Sequence, residues 1–154
     1  MSGADCVFTV LAEGHHSAQK GKVMQIKLTS VFVDDQEKAL KFYTDVLGFV
    51  KKMDFSAGSY RWLTVVSPEE PEGVQLVLER NEGNNPAAKT YQKEIFRSGI
   101  SAANFFVGDV QKEYERLKQH GVKFTKEPTK TTGSTIAVLD DTCGNLIQIT
   151  HLDW

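Results

Sequence analysis

Apolar residues in this chain form a strand-like stretch and then recur at helical three- and four-residue steps. This order occurs twice. In the first half, an apolar stretch ends at Val33. It is followed by apolar residues at three- and four-residue steps, namely Ala39, Phe42, Tyr43, Val46 and Leu47. The apolar stretch predicts a strand, and the three- and four-residue steps predict an amphipathic helix after it. Asp34 or Asp35 is placed to cap the helix, with Glu37 completing a capping box on Asp34, and Gly48 is placed to end it.

The second half repeats this order. After the apolar Phe106-Val107, Asp109 is placed as a cap, and the apolar residues that follow share one helical face: Val110, Tyr114 and Leu117. Gly121 then stands where Gly48 stood. In both halves two further strand-like stretches with a turn between them complete the unit, at 60–66 and 74–79 and at 135–139 and 144–150. A repeated unit is the simplest account of this self-similarity.

We therefore predict an α+β fold of two tandem βαβββ modules, at about residues 23–80 and 100–152, within a single domain of residues 23–154. Asn85-Pro86 is typical of a helix start, with asparagine as the cap and proline in the first turn. This predicts a linker helix over residues 86–98 between the modules.

Residues 1–22 lie outside the repeat and form an N-terminal arm. The arm could add a strand to a sheet edge, cover a neighbouring subunit or be disordered. His15 and His16 resemble a metal-binding pair, but adjacent residues of an extended chain point to opposite faces. A solvated loop is the interpretation that we favour for them.

Charge and composition narrow the partners. The formal net charge is -2 and the pI about 6.1, which does not favour nucleic acid or an anionic membrane surface. No apolar run approaches the roughly 20 residues that a bilayer span needs. The N-terminus lacks the pattern of a signal peptide, and the two cysteines do not suggest a disulfide framework. We expect a cytoplasmic protein.

Several of these motifs together resemble the vicinal oxygen chelate superfamily, which contains glyoxalase I, bleomycin resistance proteins and extradiol dioxygenases. The motifs are Val33-Asp34-Asp35, Phe42-Tyr43, Leu47-Gly48-Phe49 and the stretch from Asp140 to Gln148. The resemblance covers about residues 24–152. It implies paired βαβββ modules that form a cupped, barrel-like mixed-sheet cleft, and it implies a homodimer. In metal-dependent members, the first and fourth strands of each module supply the ligands of one divalent ion.

The alternation of side chains along the strands identifies the positions where those ligands would fall: Leu28, Val77, Ala102 and Gln148. Divalent transition ions need imidazole, carboxylate or thiolate donors, and these four residues offer one amide oxygen between them. Shifting the strand registers by one or two residues produces no histidine-rich set. We therefore predict no metal and no other cofactor.

The same alternation predicts a cleft lining that combines apolar and hydrogen-bonding side chains, as small-molecule sites do. The predicted ligand-binding residues are Leu28, Ser30, Phe32, Trp62, Gln75, Val77, Glu79, Ala102, Asn104, Phe106, Gln148 and Thr150. Phe32 and Phe106 could instead fill a closed core. The polar members argue against that alternative, because burying them unpaired costs roughly 1–3 kcal/mol each. Glu79, the one inward carboxylate, is a weak candidate for a catalytic base.

We therefore predict a metal-free protein that binds a small, partly apolar molecule in the cleft between its modules. Two alternatives stay open. One is a glyoxalase- or dioxygenase-type enzyme, a lyase or an oxidoreductase, that uses a divalent metal or a relocated acid and base. The other is an interaction protein whose cleft is vestigial.

Overall fold

The computed structural model of the protein describes residues 23–83 and 86–154. The predicted N-terminal arm, with His15 and His16, and the Asn85 cap lie outside the described residues. None of the helices within the described ranges has the length and apolar content that a membrane span requires.

The first module forms a four-stranded sheet with one helix on its face. Its elements are β1 (Leu28–Val33), α1 (Gln36–Lys41) with a π-helical continuation (Phe42–Val46), β2 (Val50–Ala57), β3 (Tyr60–Val66) and β4 (Gln75–Arg80). The strand order is β1-β4-β3-β2, with β1 parallel to β4 and the other neighbours antiparallel.

The second module repeats this topology after the linker helix α2 (Pro86–Arg97). Its elements are β5 (Ser101–Phe106), α3 (Val110–Gln119), β6 (Phe124–Thr131), β7 (Ser134–Asp140) and β8 (Leu146–Leu152). The order β5-β8-β7-β6 matches that of the first sheet. The α+β class and the tandem βαβββ units are confirmed. The sheets are cupped, but they are not closed into a barrel, because each has two edge strands, β1 and β2 in the first and β5 and β6 in the second.

The repeat extends to the helix caps. Asp35 accepts a hydrogen bond from the backbone N–H of Lys38 at 3.0 Å, and Asp109 accepts the corresponding bond from Lys112 at 3.0 Å. Asp35 is thus the cap of α1, and the capping box predicted on Asp34 is wrong: Asp34 pairs with the Lys38 ammonium, while Glu37 pairs with Arg61. Such a cap is worth about 1 kcal/mol.

One hydrophobic core joins the two modules. Residues from the helix-facing sides of both sheets belong to it, among them Val33 and Leu78 of the first sheet and Ile147 of the second. Across the module boundary, the rings of Phe49 and Phe105 lie 5.0 Å apart between centroids, in an edge-to-face arrangement. The core therefore fixes the orientation of the two sheets relative to each other, including the faces that point away from the helices.

A charged pair fastens the β2–β3 hairpin. Arg61 donates two hydrogen bonds to Asp54, from Nε to Oδ1 and from Nη2 to Oδ2, each at 2.8 Å. These bonds stabilise the carboxylate and lower the pKa of Asp54 to about 2.

We expect Asp54→Asn to reduce the free energy of unfolding by about 1 kcal/mol at neutral pH, since the pair is partly exposed. The pair stabilises the fold fully above the ordinary pKa of 3.8, and its contribution is lost as the pH falls through the folded value of about 2. Urea unfolding at decreasing pH measures the free energy of unfolding of variant and parent. The difference between them should shrink only as the pH falls from about 3.8 to about 2. Asp45→Asn, at an exposed carboxylate in the π-helical turn, is the control. A difference in unfolding free energy that stayed constant with pH would contradict the stabilising role given to the Asp54–Arg61 pair.

Candidate functional site

The face of the first sheet that points away from α1 carries seven of the predicted ligand-binding residues. In the β1–β4 register, Leu28 lies beside Gln75, Ser30 beside Val77 and Phe32 beside Glu79. Val31 and Val33, which alternate with them, are buried in the core on the other face. We call the surface formed by these six residues together with Phe55, Tyr60, Trp62 and Thr64 the first cup.

An aromatic patch forms one wall of the first cup. Trp62 lies opposite Phe55 in the β2–β3 register, with their rings stacked at 6.4 Å, and Tyr60 contacts Trp62 at the same centroid distance. Phe55 is 51% exposed and Tyr60 45% exposed. The indole N–H of Trp62 is covered, yet it has no hydrogen-bond acceptor among the described residues. Burial raises the pKa of Tyr60, with the negative charge of Glu79 adding to the effect, so the phenol remains a hydrogen-bond donor.

The corresponding face of the second sheet carries the other five predicted residues, Ala102, Asn104, Phe106, Gln148 and Thr150. We call this surface, together with Ile136 and Val138 of β7, the second cup. In the β5–β8 register, Asn104 lies beside Gln148 and Phe106 beside Thr150. A bulge between Ser101 and Ala103 shifts the register at Ala102.

Hydrogen bonds orient the amides in both cups. In the first, the Thr64 hydroxyl donates to Gln75 Oε1 at 2.8 Å, which leaves the Gln75 N–H groups for a ligand. In the second, Thr150 donates to Asn104 Oδ1 at 2.7 Å and accepts from Gln148 Nε2 at 3.1 Å. This leaves the Asn104 N–H groups and the Gln148 carbonyl for a ligand.

The linker helix α2 lies over the junction of the two cups. Tyr91 packs edge-to-face on Phe32 at 6.4 Å, and Tyr91 and Ile95 line a cavity of about 210 Å³ with Ser30 and Ala102. Ala88, near the start of α2, borders a cavity of about 450 Å³ in the first cup, while Phe96 near its end borders one of about 630 Å³ in the second. Within one chain, most of the predicted lining therefore lies in two cups, while Ser30, Phe32 and Ala102 share the small cavity beneath α2 between the modules.

The positions of the superfamily's metal ligands are divided in the same way. Leu28 and Val77 lie in the first cup, and Ala102 and Gln148 lie in the second. Three of them have no donor atom, so the residues present do not fit a divalent ion. Across residues 23–83 and 86–154, no group of three or more histidine, cysteine, aspartate or glutamate side chains could hold a metal. Glu79 borders the first cavity, together with the titratable side chains of Tyr60 and Glu82.

Comparison with known proteins decides the family. A family model described as the Glyoxalase/Bleomycin resistance protein/Dioxygenase superfamily matches residues 25–149. The chain belongs to this superfamily. It is 60% identical over 126 residues to YurT of Bacillus subtilis, covering 82% of this chain and 98% of YurT.

Solved structures share this fold. UcmS2 is 32% identical with a TM-score of 0.73, covering 86% of this chain and 99% of UcmS2. TnmS3, an antibiotic binding protein from Streptomyces sp. CB03234, is 26% identical with a TM-score of 0.68, covering 86% and 98% of the two chains. The resemblance drawn from the sequence motifs is confirmed.

Sequence reasoning missed a buried polar cluster that supports the first cup in this superfamily member. The Gln92 side-chain N–H groups of α2 point at the Phe32 carbonyl (2.7 Å) and the Cys143 carbonyl (3.0 Å), and Asn145 Nδ2 donates to the same Phe32 carbonyl at 2.8 Å. Gln92 is 4% exposed. It is a polar position in a helix with a narrow apolar stripe, so no signal in the sequence marked it as buried.

Asp141 anchors the other side of this cluster. Its carboxylate accepts hydrogen bonds from the Tyr43 hydroxyl (2.9 Å), from the backbone N–H groups of Cys143 and Asn145, and from Asn145 Nδ2. Burial raises the pKa of Asp141, and these hydrogen bonds oppose the rise. Burial also raises the pKa of Cys143 to about 12, so its thiol stays protonated at neutral pH. The stretch from Asp140 to Gln148 was singled out as a family motif, but its structural role was not predicted.

Proposed function

We propose that this protein is a metal-free binding protein for a small, partly apolar molecule, held against the aromatic patch of the first cup. One observation carries the proposal: Leu28 and Val77 stand where the resemblance implies the ligands of metal-dependent members, and β2 and β3 present Phe55, Tyr60 and Trp62 on the same face of the sheet. The fold shared with TnmS3, an antibiotic binding protein, supports it.

The groups around the patch favour a flat apolar body with hydrogen-bond acceptors at its edge. The Tyr60 hydroxyl, the Gln75 amide and the unpartnered Trp62 N–H are all donors. A ligand oxygen that reached the Trp62 N–H would relieve a buried donor whose isolation costs about 1–3 kcal/mol. Next to the patch, Phe32, Tyr60 and Glu79 border a cavity of about 450 Å³, which falls within the usual size range of small-molecule sites.

A second copy of the chain is the partner that we propose for closing each cup. Large apolar side chains remain exposed on both cups, with Leu28 at 43%, Phe55 at 51% and Phe106 at 64%. Light scattering across a dilution series is expected to give a dimer mass.

We propose the cytoplasm as the compartment, in keeping with the free Cys143 thiol.

Replacing Trp62 tests the binding function. A thermal-shift screen with flat, carbonyl-bearing aromatic compounds should yield ligands that raise the melting temperature. For those ligands, we expect Trp62→Leu to raise the Kd by about tenfold or more, since stacking and one hydrogen bond are lost. Trp154→Leu is the matched control, because Trp154 is 86% exposed at the C-terminal end, and it should leave the Kd unchanged.

Two results would contradict the proposal and favour its alternatives. Elemental analysis that found a stoichiometric divalent metal, lost on replacing Gln148 or Glu79, would favour a lyase or dioxygenase. A screen in which no compound raised the melting temperature would favour an interaction protein with a vestigial cleft.

A further inference from the structure

A groove of about 510 Å³ runs along the flank of α2 that lies away from Tyr91 and Ile95. Lys89, Lys93 and Arg97 follow one another at four-residue steps and therefore share this flank. The three span about 12 Å of helix, since each residue adds about 1.5 Å. The groove shares no lining residue with the cavity of about 450 Å³, and it adjoins the cavity of the second cup, since Phe96 and Arg97 border both.

The base of the groove is apolar and its rim is positively charged. The half-buried Phe96 ring contributes to the base. Lys93 makes no ion pair with any described residue, Lys89 reaches Glu82 only at 3.5 Å, and Arg97 pairs with the exposed Glu94 at 2.7 Å. Asp34, the carboxylate on the opposite wall, is paired with the Lys38 ammonium at 2.7 Å. An anion in this groove would meet a surplus of positive charge.

Asn81, which borders the groove, carries a buried acceptor without a partner among the described residues. Gln92 Nε2 donates to backbone carbonyls, so Gln92 Oε1 must accept, and it receives Asn81 Nδ2 at 2.6 Å. The orientation of the Asn81 amide is thereby fixed. Its Oδ1 accepts no hydrogen bond within the described part of the chain, although Asn81 is only 7% exposed. A buried acceptor without a donor costs about 1–3 kcal/mol, which a donor on a ligand would recover.

We propose that this groove binds a small amphipathic anion that carries a hydroxyl or N–H group. The apolar body packs on Phe96, the anionic group lies near Lys93 and Arg97, and the hydroxyl or N–H donates to Asn81 Oδ1. The site is a second one, independent of the ligand proposed for the first cup.

The probe is 3-(4-hydroxyphenyl)propanoate, which combines a carboxylate, an apolar ring and a hydroxyl. Titration into the full chain, followed by amide NMR, should give saturable shifts at the Asn81 side-chain amide and along α2. We expect 3-phenylpropanoate, without the hydroxyl, to bind about fivefold more weakly, because a net hydrogen bond is worth about 1 kcal/mol. The methyl ester of the probe, without the charge, should lose about tenfold.

Charge reversal on the exposed Lys93 provides the matched variant test. Lys93→Glu should raise the Kd of the probe by about tenfold, and Lys112→Glu, an exposed cation at the start of α3, should leave it unchanged. Trp62→Leu should also leave it unchanged, so that failure here and failure of the cup ligand can be told apart. Shifts confined to cup residues such as Trp62 and Gln148, equal effects of Lys93→Glu and Lys112→Glu, equal binding of the ester, or no saturable shifts would each overturn the proposal.

Discussion

Gln92→Leu will lower the free energy of unfolding by about 3–5 kcal/mol, because it strands several buried polar groups at once. The Gln92 amide joins the Phe32 carbonyl of the first module to the Cys143 carbonyl and the Asn145 side chain of the second, and it accepts from Asn81. Leucine has a similar size but supplies none of these bonds. Urea unfolding followed by circular dichroism measures the loss.

The control for this change is Gln111→Leu, which removes an exposed glutamine of α3 whose amide donates to Glu115. We expect a change within about 0.5 kcal/mol there, as is usual for surface positions. Comparable losses in the two variants would show that Gln92 contributes helix propensity rather than a junction between modules.

Asp141→Asn will destabilise the protein by about 2–4 kcal/mol although the side chain keeps its shape. All four hydrogen bonds at this carboxylate are donated to it, so an amide N–H₂ group placed there must face donors from Tyr43, Asn145 or the backbone. Thermal and urea unfolding give the magnitude.

A double-mutant cycle with Tyr43→Phe tests whether the hydroxyl and the carboxylate act together. The tyrosine change should cost less in the Asp141→Asn background than in the parent, since the bond is already impaired. Asp153→Asn, at an exposed carboxylate near the C-terminal end, should have little effect. An Asp141→Asn protein as stable as the parent would contradict the role given to this cluster.

The repeated part of the fold could be predicted because its signals are local. Asp35 and Asp109 cap equivalent helices, and strand alternation correctly assigned Leu76 and Leu78 of β4 to the core, since both patterns are local in the sequence. The end of β6 could not be predicted: the strand continues to Thr131 through polar residues and Pro128, held by backbone pairing with β7 that leaves no apolar alternation.

The placement of α2 also lay beyond sequence reasoning. Tyr91 and Ile95 predicted a helix with a narrow apolar stripe, but its position over the cups is set by contacts distant in sequence, such as the Gln92 bond to Phe32. The predicted lining residues could therefore be assigned to faces of strands, while their division between two cups could not be foreseen.

The repeat gives the chain two equivalent strands, β1 and β5, yet the phenylalanines near their ends have different surroundings. Phe32 lies beneath the Tyr91 ring, whereas Phe106 is 64% exposed. In the proposed dimer, a ligand would lie between the covered wall of one copy and the exposed wall of the other. Such an assembly has two equivalent chambers, and changes in either half of the gene would reshape both at once.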